Sequence, residues 1–395
     1  MSEVMTERER IEATLRNEPC DKIPWATRLD IWHTASLRSG RLPEEFKGMD
    51  LMEIHHQLGI ARQHYALVTG KRLNGVEITV EFNGEVIRQD KDPQMDFPLP
   101  RHYVPNDKPG QTLIFFKTPV GQSFVRFLTT ETTIKEAELP YPVERIIKND
   151  NDFEVVKWIL NHTETVPFFG QFEKMEALIG DFGFTIPLIG RIPFQQIMLD
   201  FMGEEHTIYT LVDNKPQIDY LMDILSEQAR ESVQLGLELP SPVIEFVDNL
   251  EGMITSPSFF QTYCIPFYQE CADMVHGHGR FLGSHMDGNM KPLVNLIPDC
   301  GVDIVESYSP APLTPLTFDE SWKKWSDKVL MWGVIPSPIF EPHVSEADFE
   351  QWLEAMFNTL GGNRRIILGI GDQAIGQTLT DRIRRVSELL GREVG

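Results

Sequence analysis

The sequence predicts an α/β protein, a (β/α)8 TIM barrel carrying an antiparallel β insertion in its N-terminal third. Three observations predict it. Beyond about residue 150, short apolar runs alternate with long helical patterns, which implies a parallel sheet, open or closed. Nearly every strand candidate is followed at once by a polar cluster, as happens where barrel strands end at a shared mouth. No glycine-rich phosphate loop follows the first strand, so an open dinucleotide-binding sheet lacks its fingerprint.

The elements follow in order. Thr6 and Glu9 have the spacing of a capping box and open an amphipathic helix carrying Ile11 and Leu15. Pro19 stops that helix, and Ile23 to Ala26 reads as the first strand, with Arg28, Asp30, Trp32 and His33 clustered after it. From about 75 to 130 the texture changes. Val76 to Phe82 alternates, Asn83-Gly84 supplies a type I′ turn, and Glu85 to Arg88 returns. A second alternating run, Thr112 to Phe127, breaks at Pro119 to Gly121, and a proline-rich link covers 93–109. The expected organisation is one barrel domain over 1–395 with residues 75–130 as a β-rich insertion within it. Later strand candidates are 185–189, 243–247, 280–283, 302–305, 329–332 and 365–368, and helices are expected at 214–236, 257–276 and 345–360. Ser256 and Pro257 supply an N-cap and a first-turn proline for the second of these.

Bulk composition narrows the function classes. A chain of 395 residues that is 41% hydrophobic can bury a sizeable core. The formal net charge of -23 repels phosphate backbones and anionic lipid, so neither nucleic acid nor a membrane surface is an expected partner. The four cysteines, Cys20, Cys264, Cys271 and Cys300, have no zinc-knuckle spacing and read as core residues. Met1 to Met5 has neither the basic nor the apolar region of a signal peptide. A cytoplasmic protein is expected.

The polar strand ends carry the candidate chemistry. Glu306 closes an apolar run, where a carboxylate is costly unless paired, so it reads as a metal ligand or a general acid. Asp248 and Glu251 lie between a strand and a helix start, and either cap that helix or face the mouth. Arg28, Asp30, Trp32 and His33, with Trp332 at the seventh strand end, either wall a substrate or anchor loops. His276 and His278 have the spacing of an HxH metal pair, but they sit where a helix runs into Gly277 and Gly279 and read first as a solvated helix end.

From about residue 5 to 390 the order of these pieces resembles the uroporphyrinogen decarboxylase superfamily. The resemblance rests on Arg8 to Ile11 with Asp21 to Pro24, on Asp248 to Pro257, on His276 to Gly279, on His285 to Asn289, and on Gly301 to Glu306. The true decarboxylases carry an arginine-rich loop after the first strand and a later Phe-Ser-Asp strand end. Ala26 to His33 does not match the first, and the second is absent from the sequence. The zinc-dependent methyltransferase branch is the nearer one. Its His-x-Cys becomes His285-Met286-Asp287 here, and its third ligand, counted back from Thr378, falls on Asp372.

The resemblance therefore implies a metal site of His285, Asp287 and Asp372, harder than a thiolate site, with zinc first among several divalent ions. The reading of the strand ends adds Glu306 and Asp248 as catalytic candidates and Arg28, Asp30, Trp32, His33 and Trp332 as substrate-binding candidates. The implied activity is demethylation of a small O- or N-methylated substrate, with the methyl passed to a corrinoid supplied by a partner protein. A metal-assisted decarboxylase or lyase, or a non-catalytic corrinoid-binding barrel, stays open as an alternative, as does a homodimer.

Overall fold

Eight parallel strands follow one another in sequence order around a single sheet in the computed structural model, which describes residues 4–362 and 365–394. They are β1 (Ala26–Thr27), β2 (Ala61–Leu67), β3 (Gly183–Leu188), β4 (Val243–Phe246), β5 (Phe281–His285), β6 (Ile304–Tyr308), β7 (Leu330–Pro336) and β8 (Ile366–Gly371). Trp25 bridges Leu368 in parallel, and the Leu368 amide donates to the Pro24 carbonyl at 2.9 Å, so β8 closes on β1. The fold is the expected barrel. Met1 to Glu3, part of the stretch read for a leader, lie outside the described residues.

Strands β3 to β8 coincide with the six expected runs, but most extend further. β5 continues through His285, β6 through Tyr308, β7 through Pro336 and β8 through Gly371. Polar residues at a barrel mouth keep extended backbone and ladder hydrogen bonds, so polarity marks the mouth and not the end of the strand. β2 has no apolar run to announce it, because Arg62, Gln63, His64 and Tyr65 occupy its centre.

Local chemistry accounts for the flanking helices. In α1 (Glu7–Leu15) the Glu9 amide donates to Thr6 Oγ1 at 3.1 Å and the Thr6 amide to Glu9 Oε2 at 2.7 Å, the expected reciprocal cap. The cluster after β1 is helical where a loop was one expectation: α2 (Asp30–Ser39) holds Asp30, Trp32 and His33 in its first turns. The 257–276 helix is continuous but carries a π-helical stretch at Phe260–Cys264. Cys264, Cys271 and Cys300 are buried core residues.

The chain divides into two compact units, Met1–Ala66 with Gly170–Leu188 and Leu239–Gly395, and Leu67–Phe169 with Ile189–Glu238. The first holds the barrel. In the second, a five-stranded antiparallel sheet runs from Glu77–Phe82 through Tyr141–Glu144, beyond residue 130. Asn83 and Gly84 both have positive φ, 50° and 85°, as their type I′ turn requires. Alternate residues Ile78, Val80, Ile114, Phe116, Val125 and Phe127 are buried against Phe153, Val156 and Ile159 of helix Asp150–Asn161. Among the described residues, no helix is long and apolar enough to cross a membrane.

Candidate metal centre

Side chains alternate across a strand, so every second residue of β5 points into the barrel. Gly283 and His285 take the inward positions and Ser284 the outward one. Ladder pairing sets Glu245 opposite Gly283, and Glu306 opposite His285. Across the barrel, Gln63 and Tyr65 of β2 reach the same place. Gln63 Nε2 donates to Glu306 Oε1 at 2.6 Å, and the Tyr65 hydroxyl lies 3.1 Å from His285 Nδ1.

His285 is held at one ring nitrogen by Glu306 and turns the other toward two carboxylates. Nδ1 donates to Glu306 Oε2 at 2.9 Å, while Nε2 stands 3.5 Å from Asp287 Oδ2 and 3.6 Å from Asp372 Oδ1. Two ligands of a tetrahedral ion bound at about 2.1 Å stand roughly 3.4 Å apart. Nε2 therefore stands at ligand spacing from each carboxylate oxygen, the ligand atoms of the three residues all lie within 4.8 Å of one another, and Glu306 supplies the partner that would fix a ligating imidazole. The imidazole side chain is 5% exposed, whereas Asp287 and Asp372 remain 28% and 32% exposed, so the triplet has an open side.

Each carboxylate is itself positioned. Asn249 Nδ2 donates to Asp287 Oδ2 at 2.9 Å. The Arg28 guanidinium binds Asp372 Oδ1 and lies over the Tyr65 ring at 3.9 Å from its centroid. Ser307, in left-handed backbone with φ 58°, donates its hydroxyl within 3.0 Å of both Glu306 Oε1 and Asp372 Oδ1.

The electrostatics follow from this crowding of acids. Burial opposes charge on His285, but Asp287, Glu306 and Asp372 outweigh it and hold the imidazole well above its usual range. Burial likewise raises Asp287, yet the His285 charge and hydrogen bonds from His285 and Asn249 bring its carboxyl below the ordinary value. Glu306 is also lowered, because its bonds and charges to His285 and Arg28 overcome desolvation. The pocket thus concentrates positive charge on His285 among carboxylates.

The other sequence candidates lie apart from this cluster. Asp248 accepts from the Tyr268 hydroxyl at 2.5 Å and from Ser284 Oγ at 2.9 Å, on the outward face of β5, so it ties helix Ile265–His276 to the strand. Asp30 accepts from Arg62 at 2.8 Å, Trp32 packs edge-on to Phe46, and half-buried His33 lies beside Trp32. Trp332 is mid-strand and fully buried, its indole N–H donating to the Ala26 carbonyl at 3.4 Å, because β7 runs on to Pro336. His276 pairs with Asp303 at 2.8 Å at its helix end.

Three residues of the cluster escape sequence reading. Gln63 and Tyr65 lie on the strand without an apolar run. Glu245 carried a usable signal, since it interrupts Val243-Ile244-Glu245-Phe246 with a carboxylate, the same anomaly that singles out Glu306.

No family model matches the sequence, and neither does any curated protein. In fold the chain is similar to a methyltransferase from Methanosarcina mazei, with a TM-score of 0.56 and 15% identity over 98% of each chain. At that identity the likeness shows the barrel architecture.

Proposed function

We propose that this chain is a corrinoid-dependent methyltransferase of the uroporphyrinogen decarboxylase superfamily, which removes a methyl group from a small O- or N-methylated substrate. The carrying observation is the placement of His285 Nε2, Asp287 Oδ2 and Asp372 Oδ1 at ligand spacing on one open side of the barrel mouth. The order of superfamily motifs and the fold shared with a methyltransferase support the same reading. His285, Asp287 and Asp372 would hold a divalent ion, zinc first among those a nitrogen–oxygen donor set accepts. Such an ion supplies Lewis acidity toward the substrate heteroatom that bears the methyl group.

The chain's own residues then do the positioning. Glu306 accepts from His285 Nδ1, Gln63 and Ser307, which leaves it a committed acceptor that orients the imidazole in place of a free general acid. Arg28 holds Asp372 and offsets part of the carboxylate charge. Tyr65, raised by burial, keeps its phenolic proton beside His285 and Ser307. The acceptor would be the Co(I) corrinoid of a partner protein, whose electron pair would form the Co–C bond and leave methyl-Co(III), while the C–O or C–N bonding pair stays on the heteroatom, which takes a proton from solvent.

The test is spectral. Metal-loaded protein incubated with reduced Co(I) corrinoid and a panel of O- and N-methyl donors should convert the corrinoid to its methylated form, and His285→Ala should abolish the conversion. Release of CO₂ from small acids without any corrinoid, or conversion that survives in His285→Ala, contradicts the proposal.

A further inference from the structure

Beneath the open triplet lies a second group of acids that the proposed reaction leaves unused. Glu245 is fully buried, and neither of its carboxylate oxygens has a hydrogen-bond partner. Its oxygens face His285 and Glu306, and the three residues offer ligand atoms all within 4.8 Å of one another. Gly283 makes the room, since a Cβ there would stand 2.9 Å from Glu245 Oε2. Two fully buried carboxyl groups this close, one of them without a donor, are costly unless a proton or a metal cation lies between them.

We propose that Glu245, Glu306 and His285 Nδ1 form an inner divalent-cation site, so that His285 serves two ions, one at each ring nitrogen. The inner site shares His285 with the outer triplet but depends on different carboxylates. Two carboxylates and an imidazole nitrogen suit Zn²⁺ or Mn²⁺. The charges balance: two divalent ions match Glu245, Glu306, Asp287 and Asp372, and Arg28 matches an imidazolate. In the metal-free chain Nδ1 gives its proton to the bond with Glu306, and the inner ion takes the place of that proton.

Full-length protein stripped with chelator and titrated with Zn²⁺ tests this by native mass spectrometry, which counts ions on the folded chain. Wild type should bind two. Glu245→Gln should bind one, and Asp287→Asn with Asp372→Asn should also bind one. A single ion in wild type that Glu245→Gln leaves in place, and that the double variant loses, overturns the inner site and leaves the outer reading standing. A single ion lost in Glu245→Gln and kept in the double variant sinks the outer reading, and with it the sharing of His285 between two ions, and leaves the inner site. No ion in wild type sinks both. Mn²⁺-loaded wild type gives a check that needs no variant: two ions sharing an imidazole should show an exchange-coupled paramagnetic resonance spectrum, and an isolated-ion spectrum at saturation contradicts the inner site.

Discussion

Glu306 shows how a single residue changes meaning once its partners are known. An acid closing an apolar strand reads as a metal ligand or a general acid; toward the outer triplet its bonds with His285, Gln63 and Ser307 make it the anchor of His285. Glu306→Gln should therefore weaken Zn²⁺ binding at the outer triplet by roughly 10–100-fold, the usual cost of losing such an outer partner. Chelator competition measures it, and unchanged affinity would remove Glu306 from the site. His55 offers an independent test by pH. Burial, with Arg62 adding to it, lowers its pKa from 6.5 to about 3. A depressed folded pKa means the unfolded chain binds the proton more readily, so this stability is present above pH 6.5 and is lost as pH falls toward 3. Between pH 6.5 and 5, urea midpoints of wild type should fall more steeply than those of His55→Gln; parallel slopes would refute the assignment. The proposed ligand triplet was legible only through resemblance, because Asp287 and Asp372 are far apart in sequence and each sits in an ordinary turn-like stretch.

At the scale of elements, the strands were legible by position and not by length. His285, Ser307 and Asp372 lie where apolar patterning has already stopped, yet the first two are still in strands and Asp372 directly follows one. β2 was invisible because its inward residues, Gln63 and Tyr65, serve the site and its intervening ones, Arg62 and His64, are polar too. The seam between β8 and β1 depends on close backbone approach. A Cβ on Gly369 would stand 2.5 Å from the Ala26 carbonyl oxygen, whereas one on Gly362 would meet nothing within 4 Å. Gly369→Ala should cost about 1–3 kcal/mol of stability through overpacking, and Gly362→Ala should stay within about 0.5 kcal/mol. Denaturant midpoints compare the two, and equal values would show that the seam tolerates a side chain.

For the molecule as a whole, alternation of strand and helix gave a parallel sheet, and the polar strand ends together with the superfamily resemblance pointed to its closure; the antiparallel sheet extends past residue 130 through Tyr141–Glu144, which is short and mostly outward-facing. The net charge of -23 leads to a simple expectation, that the protein does not retard duplex DNA at physiological salt; a shift in a gel assay would contradict it. Joint metal binding by His285, Asp287 and Asp372 at the barrel mouth is open to anomalous diffraction from crystals soaked in Zn²⁺, recorded on either side of the zinc edge. A peak should appear bonded to His285 Nε2, Asp287 Oδ2 and Asp372 Oδ1. A saturated crystal with no peak at those atoms would contradict it.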